Sequence, residues 1–482
     1  MDVLFGSMQR SGLRVTWLIA GLAAALLPAL WMWGFTIDDA LISIRYARHL
    51  ASGLGWRFDA GGPATDGVTP LPWPLLLAPL ARGSGMAVLL RAKVLGVLAW
   101  TGAGAALGVA AGRVTGAPAW ARAGALATLA LSVPVAAHAV SGMETAIAMA
   151  LATFAVLAAR RPVAAAILAG VAASLRPEMA AWASVLSLGL AVAAGRRASA
   201  AWFALLALAP FTLCALARLV VWGDPAPLAL MAKPSDIAHG LAYAGAACAV
   251  ALTPILVVAP FALRRSPVAL AIVVAGLAHV GAVIAVGGDW MPYARLLAPI
   301  APSLAWAAVL VSERAHPAAS GARVGVAAAF GVVLVARGGT QGREVGADRA
   351  ALIALAAPRL QGYRRVASLD VGWVGASTDA DVLDLAGTTD PRVAALPGGH
   401  TSKRVDATFL LDLGADALLL YLPAGVPEGG LAGWSAATYS RVLELRLARD
   451  ELVQKHFAPV AWLPLGAKGA GYVLLKASAP KP

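Results

Sequence analysis

The chain reads as a polytopic α-helical membrane protein with a smaller α/β domain at its C-terminal end. Of its 482 residues, 60% are hydrophobic and only 13% are charged, and mean hydropathy is +0.76, which sets it apart from ordinary soluble domains. Apolar runs of membrane-spanning length, roughly 17–25 residues, recur through the first 336 residues. Charge is divided unevenly: residues 1–336 carry a balance of +11 and residues 337–482 one of +2. The basic character therefore belongs to the membrane part, where it suits cytoplasmic loops and anionic lipid, not a nucleic-acid partner. Cys214 and Cys248 lie in or beside apolar runs, so no disulfide framework or metal-type cysteine spacing is present.

Taken in order, the apolar runs fall near 15–35, 88–112, 118–137, 143–159, 163–176, 179–195, 200–221, 241–263, 267–286, 292–311 and 321–336, about eleven in all. The first follows Arg10 and Arg14 but is too long for a signal-peptide core and lacks a small-residue cleavage site, so it reads as an uncleaved span. Arg113 and Arg122, Arg160 and Arg161, Arg196 and Arg197, Arg264 and Arg265, then Arg314 and Arg323 lie between alternate runs, in phase with the N-terminal pair. By the positive-inside rule these loops and the N-terminus face the cytoplasm. Asp38, Asp39, Asp59, Asp66, Glu144, Glu178, Asp224, Asp236 and Asp289 then share the outer face, and only Asp2 and Glu313 fall inside. An odd number of spans places residues 337–482 outside as well.

The transmembrane part is thus 1–336, with a long outer loop at 37–87. In that loop Ala40, Leu41, Ile44, Ala47 and Ala51 make an apolar helical face against Arg45, Arg48 and His49, the pattern of a helix lying in the bilayer interface. A glycine-rich turn follows, then TPLPWPLLLAPLARG, whose short apolar run predicts a second interfacial helix with Trp73 as its aromatic anchor. Residues 337–482 differ in kind. Short apolar runs (RVASLD, DVLDLAG, ADALLLYLP, GYVLLKA) alternate with turns and polar stretches, the pattern of a small α/β domain outside the membrane. It holds no Walker, GxGxxG-after-strand or nucleophile-elbow pattern, which suggests that it guides substrate or stabilises the fold.

Asp38 and Asp39 end the first span, where carboxylates are costly and a functional site is the first hypothesis. One aspartate suffices to start a helix. The second suggests a general base with a partner that orients it, binds the acceptor, or shares a divalent cation such as Mg or Mn. Ser141 and Glu144 are spaced as a capping box at the start of a run. Arg176 and Glu178 flank Pro177 as the charge pair of an outer turn, and an arginine there also suits a phosphate. Arg218, Lys233 and Arg295 are each snorkelling side chains taken singly, and counter-charges for an anionic headgroup taken together. Asp289 is placed to cap the next span, and His138 lies beside the Ser-Gly-Met-Glu turn.

The blocks DDALISIRYARHLASGLGWRFD, SGMETA, SLRPE, WGDPAPLALMAK, GGDWMPYARLLAP and VLDLAGTTDPRVA occur in that order between about residues 36 and 395. They resemble the recurring blocks of membrane glycosyltransferases of the GT-C class, most of all the terminal arabinofuranosyltransferase-like branch. One departure is visible: DGVTPLPW stands where relatives carry Glu-Gly-x-Thr-Asn-Pro-Leu-Trp, so Asp66, Gly67, Thr69 and Trp73 match but Pro70 replaces the asparagine. The resemblance implies inverting transfer of a sugar from a polyprenyl-phosphate donor to a cell-envelope glycan or lipid on the outer face. It implies Asp38 as the base and Asp39 as its partner. Arg176, Lys233 and Arg295 would then meet the donor phosphate, with Arg45, Asp66, His138, Glu144, Glu178 and Asp289 supporting the site or the acceptor. Arabinofuranosyl, mannosyl and aminoarabinosyl transfer share this chemistry. From another class, a transporter or flippase of a lipid-linked sugar is the alternative, and it expects polar residues near mid-bilayer.

Overall fold

The computed structural model describes residues 2–233, 235–249 and 263–478. They form two compact units: Met1–Thr36, Ala92–Cys214 and Ser235–Arg343 in one, Ile37–Arg91, Ala215–Pro234 and Glu344–Pro482 in the other. Among the described residues five helices are long and apolar enough to cross a membrane: Arg14–Trp31, Gly85–Arg113, Arg197–Trp222, Pro267–Ala285 and Pro317–Leu360. Their outer surfaces carry bare aliphatic side chains, with Leu98 64%, Leu213 66% and Leu277 66% exposed. Large aliphatic side chains so exposed along apolar helices suit lipid and not water.

Proline explains why several of the expected spans are shorter or bent. The run 118–137 becomes Ala119–Ala130 and Val133–Ala139, set at 60°, with Pro134 in the first turn of the second helix. Arg161 and Arg176 each precede a proline and leave the helical region. The runs 143–159, 163–176 and 179–195 accordingly give the short helices Thr145–Leu157, Pro162–Leu175 and Pro177–Ala193. The run 241–263 lies largely outside the described residues, which hold only Ile237–Ala247 of it as a helix. In the helical unit, close approach is built on Gly104 and Gly108. A Cβ at Gly104 would stand 2.5 Å from the Ala25 Cβ, and one at Gly108 2.8 Å from the Gly21 Cα. This small-xxx-small spacing lets helix backbones touch where no hydrophobic effect drives them together.

The second unit is organised by a five-stranded sheet of order β2-β1-β3-β5-β4: β1 Arg365–Ser368, β2 Asp381–Asp384, β3 Ala417–Leu422, β4 Phe457–Pro464 and β5 Gly471–Ala477. Strands β1, β2 and β3 run parallel, and β5 is antiparallel to both β3 and β4. Burial alternates little in β3, where Ala417, Leu418, Leu419 and Leu420 are all fully buried, as expected of a central strand covered on both faces. The four apolar runs named above supply β1, β2, β3 and β5. Strand β4, broken by a register shift between Pro459 and Ala461, is supplied by none of those runs.

Two expectations for the first outer loop are overturned. The helix Asp38–Ala51 buries every residue from Ala40 to Tyr46 together with Ala47, so it is a core helix of its unit and shows no wet face to an interface. Its polar side, Arg45 included, is covered by the helix Val371–Ser377 and by backbone carbonyls nearby. Trp73 is completely buried and cannot serve as an anchor. The exposed apolar side chains of that segment are Leu75, Leu76 and Leu80.

Candidate functional site

Asp38 opens its helix after Ile37, which is extended at φ −125°, ψ 147°. Its carboxylate does not cap that helix. Oδ2 accepts the Gly372 amide at 2.8 Å and Oδ1 the Trp373 amide at 2.9 Å, so the side chain satisfies the orphan N–H groups that start Val371–Ser377. Arg349, on the helix Val345–Leu360, brings its Nε to 3.6 Å from Oδ1. Burial pushes the Asp38 carboxyl up to about 6, the Arg349 charge opposes that rise, and the charges of Asp370 and Asp39 add to it. Asp370 is itself held by Arg441 at 2.5 and 3.1 Å and by the Tyr472 hydroxyl at 2.8 Å. Asp39 is half-buried on the same first turn.

Deeper in the same unit, Arg45 places all five of its N–H donors. Nε donates to the Phe58 carbonyl, one terminal nitrogen to those of Gly375 and Thr378, and the other to Asp59 and the Ala380 carbonyl. It is a structural clamp for the glycine-rich turn. Asp59 also accepts the Val382 amide at 3.0 Å, blunting the free edge of β2. Asp66 is buried against Arg218, Nε to Oδ2 at 2.7 Å, and Arg218 donates further to the Val68 and Thr69 carbonyls. Arg218 is thus a clamp on this segment and is not a free counter-charge. Lys233 follows the helix Leu228–Ala232 and is half-buried.

The helical unit gathers a second set. Glu144, fully buried, lies 2.9 Å from Arg176 Nε, and Glu178 lies 3.5 Å from another Arg176 nitrogen. Arg176 also donates to the Thr145 hydroxyl at 2.5 Å. The capping box expected of Ser141 and Glu144 does not form: the helix starts at Thr145 without a side-chain cap, because the Glu144 carboxylate is drawn to Arg176. Asp289 does not cap a span either but grips Arg295, with contacts of 2.7 and 3.1 Å. Between them in sequence, Tyr293 and Ala294 take positive φ values of 60° and 49°, a conformation that non-glycine residues avoid unless held there. The Tyr293 carbonyl lies 3.1 Å from Nε2 of the buried His138.

The predicted residues therefore fall into separate groups: Asp38, Asp39, Arg45, Asp66 and Lys233 in the sheet-bearing unit, His138, Glu144, Arg176, Glu178, Asp289 and Arg295 in the helical one. Sequence reasoning missed Arg349, Asp370 and Arg441, none of which stands in a recognisable motif. It also missed His279, buried with its ring nitrogens 3.1 and 2.7 Å from the Glu178 and Leu296 carbonyls; a histidine inside an apolar run was the available signal. Among the described residues no group of three or more His, Cys, Asp or Glu side chains is arranged to hold a metal ion. Asp38 and Asp39 belong to no such group, so the set of ligands that Mg or Mn requires is not assembled there. Comparison of the chain with protein-family models, with curated proteins and with solved structures finds no match in any of the three.

Proposed function

We propose that the protein is a membrane glycosyltransferase that moves a sugar from a polyprenyl-phosphate donor to a cell-envelope glycan or lipid on the outer face of the bacterial inner membrane, with Asp38 as general base. The observation that carries this reading is the Asp38 carboxylate: oriented by two backbone amides, half-buried, and raised to about 6 by that burial. A base in that range is ionised at neutral pH and still basic enough to accept a proton. In the proposed step Asp38 takes the proton of the acceptor hydroxyl as its oxygen bonds to the anomeric carbon. The bond from that carbon to the phosphate oxygen breaks, and its electron pair leaves on polyprenyl phosphate. Attack from the opposite face inverts the configuration. The phosphate is a good leaving group, so a separate acid is not required.

The reading calls for about eleven spans with the N-terminus inside and residues 337–482 outside, and for arabinofuranose or a related sugar as cargo. Of the cations assigned to the phosphate, Arg176 and Arg295 are engaged by acids, so a phosphate there must displace a carboxylate. Lys233 has no such partner among the described residues. The test is incubation of the purified protein with a panel of polyprenyl-phosphate sugars, measuring released polyprenyl phosphate. Release by the wild type that persists unchanged in Asp38→Asn would end the assignment. A carrier of lipid-linked sugar is the second reading, favoured by the buried Glu144–Arg176–Glu178 cluster among apolar helices. Movement of the lipid-linked sugar across a vesicle membrane without release of polyprenyl phosphate would select it.

A further inference from the structure

We propose that Arg349 is the positioning residue for Asp38: its guanidinium keeps the amide-oriented carboxylate charged, and so sets the pH range over which the base works. This rests on the assignment of Asp38 as base. The groups facing Asp38 are Asp39 from its own helix, Asp370 from the segment ahead of Val371–Ser377, Tyr472 from β5 and Arg349 from Val345–Leu360. Three of the four are acidic or neutral. Arg441, the other cation nearby, is committed to Asp370 and Glu444, which leaves Arg349 as the counter-charge among the described residues.

Arg349 is not placed there by hydrogen bonding. Its Nε and one terminal nitrogen are buried and meet no acceptor, whereas a guanidinium that serves only to hold a fold together is normally saturated, as Arg45 is. At 3.6 Å from Asp38 Oδ1 it acts through charge. Nor does it suit an anionic ligand, since an anion beside it would meet the negative charges of Asp38, Asp39 and Asp370. A cation in an acidic neighbourhood instead favours the ionised form of the carboxylate that it faces.

The test compares the pH dependence of kcat/KM in the wild type, Arg349→Gln and Arg349→Lys. Loss of the cation removes the influence that lowers the Asp38 pKa, so the acid limb should move to higher pH by about one unit or more. Activity should recover at high pH, and the lysine variant should stay close to wild type. A uniform loss with an unmoved limb, or a limb moved to lower pH, overturns the proposal. Arg349→Met serves the same comparison if the glutamine variant does not fold. Infrared difference titration of the Asp38 carboxyl, its band identified by Asp38→Asn, gives a readout without turnover. Its midpoint should rise when Arg349 is neutralised, and an unmoved midpoint overturns the proposal. If Asp38→Asn retains full activity the base assignment fails, while the infrared midpoint still decides whether Arg349 controls this carboxylate.

Discussion

Two carboxylates, one in each unit, are held in opposite ways. Glu144 in the helical unit is fully buried and rests 2.9 Å from Arg176, which a second acid, Glu178, shares. Asp38 in the sheet-bearing unit is oriented by two neutral amides, and its cation stands off at 3.6 Å. A buried acid in direct contact with an arginine is tied to that partner, and removing either one strands the other. An acid held by amide dipoles keeps its geometry whether or not its charge is tuned from further away. The first arrangement suits structure, the second proton transfer.

The sharpest way to break this contrast is Asp38→Asn, expected to lower sugar transfer by about 10²–10⁴-fold while the protein remains folded in detergent; a collapse of folding would make Asp38 structural after all. Next, Arg176→Met should remove about 3–5 kcal/mol of stability by leaving two buried acids unpaired, read as a large fall in melting temperature. An unchanged melt would show that the helical cluster is not locked. Trp73→Ala should cost about 3 kcal/mol as a buried cavity, and a mere loss of membrane association would restore the anchor role rejected above. The pH profile sharpens the contrast further. Because Asp38 must be ionised to act, transfer should fall about tenfold per unit below pH 6 and level off above it. Smallest of all, Arg364→Ala breaks only the 3.9 Å pair of a 91% exposed arginine with Asp416 and should change stability by less than about 0.5 kcal/mol.

Much of the architecture was legible because it is written locally. Apolar length marked the five helices that are long enough to cross a membrane, although it gave about eleven runs in all, and short apolar runs marked β1, β2, β3 and β5. Proline also marked the breaks at Pro162 and Pro177, where the apolar runs stop, whereas run length read straight across the bend ahead of Pro134. What was not legible depends on distant chain. Arg45 reads as a polar-face residue by helical periodicity, and only the carbonyls of Gly375, Thr378 and Ala380 reveal it as buried. Trp73 reads as an interfacial aromatic for the same reason. Arg349 has no local signature at all: its importance lies in facing a residue near the other end of the sequence. The Asp38–Asp39 pair was visible by its oddity, but its anchoring to Gly372 was not.

The separation of 334 residues between Asp38 and Gly372 also has a consequence for synthesis. At about 5–20 residues per second, the first outer segment emerges tens of seconds before the strand and helix that complete it. Through that interval Arg45 has none of its partners from residues 375–380, and the apolar face of Asp38–Ala51 has no sheet-bearing unit to join. A ribosome-stalled or C-terminally truncated chain is therefore expected to expose this segment to proteases and chaperones. Its sudden protection would time the moment at which the last part of the protein is made.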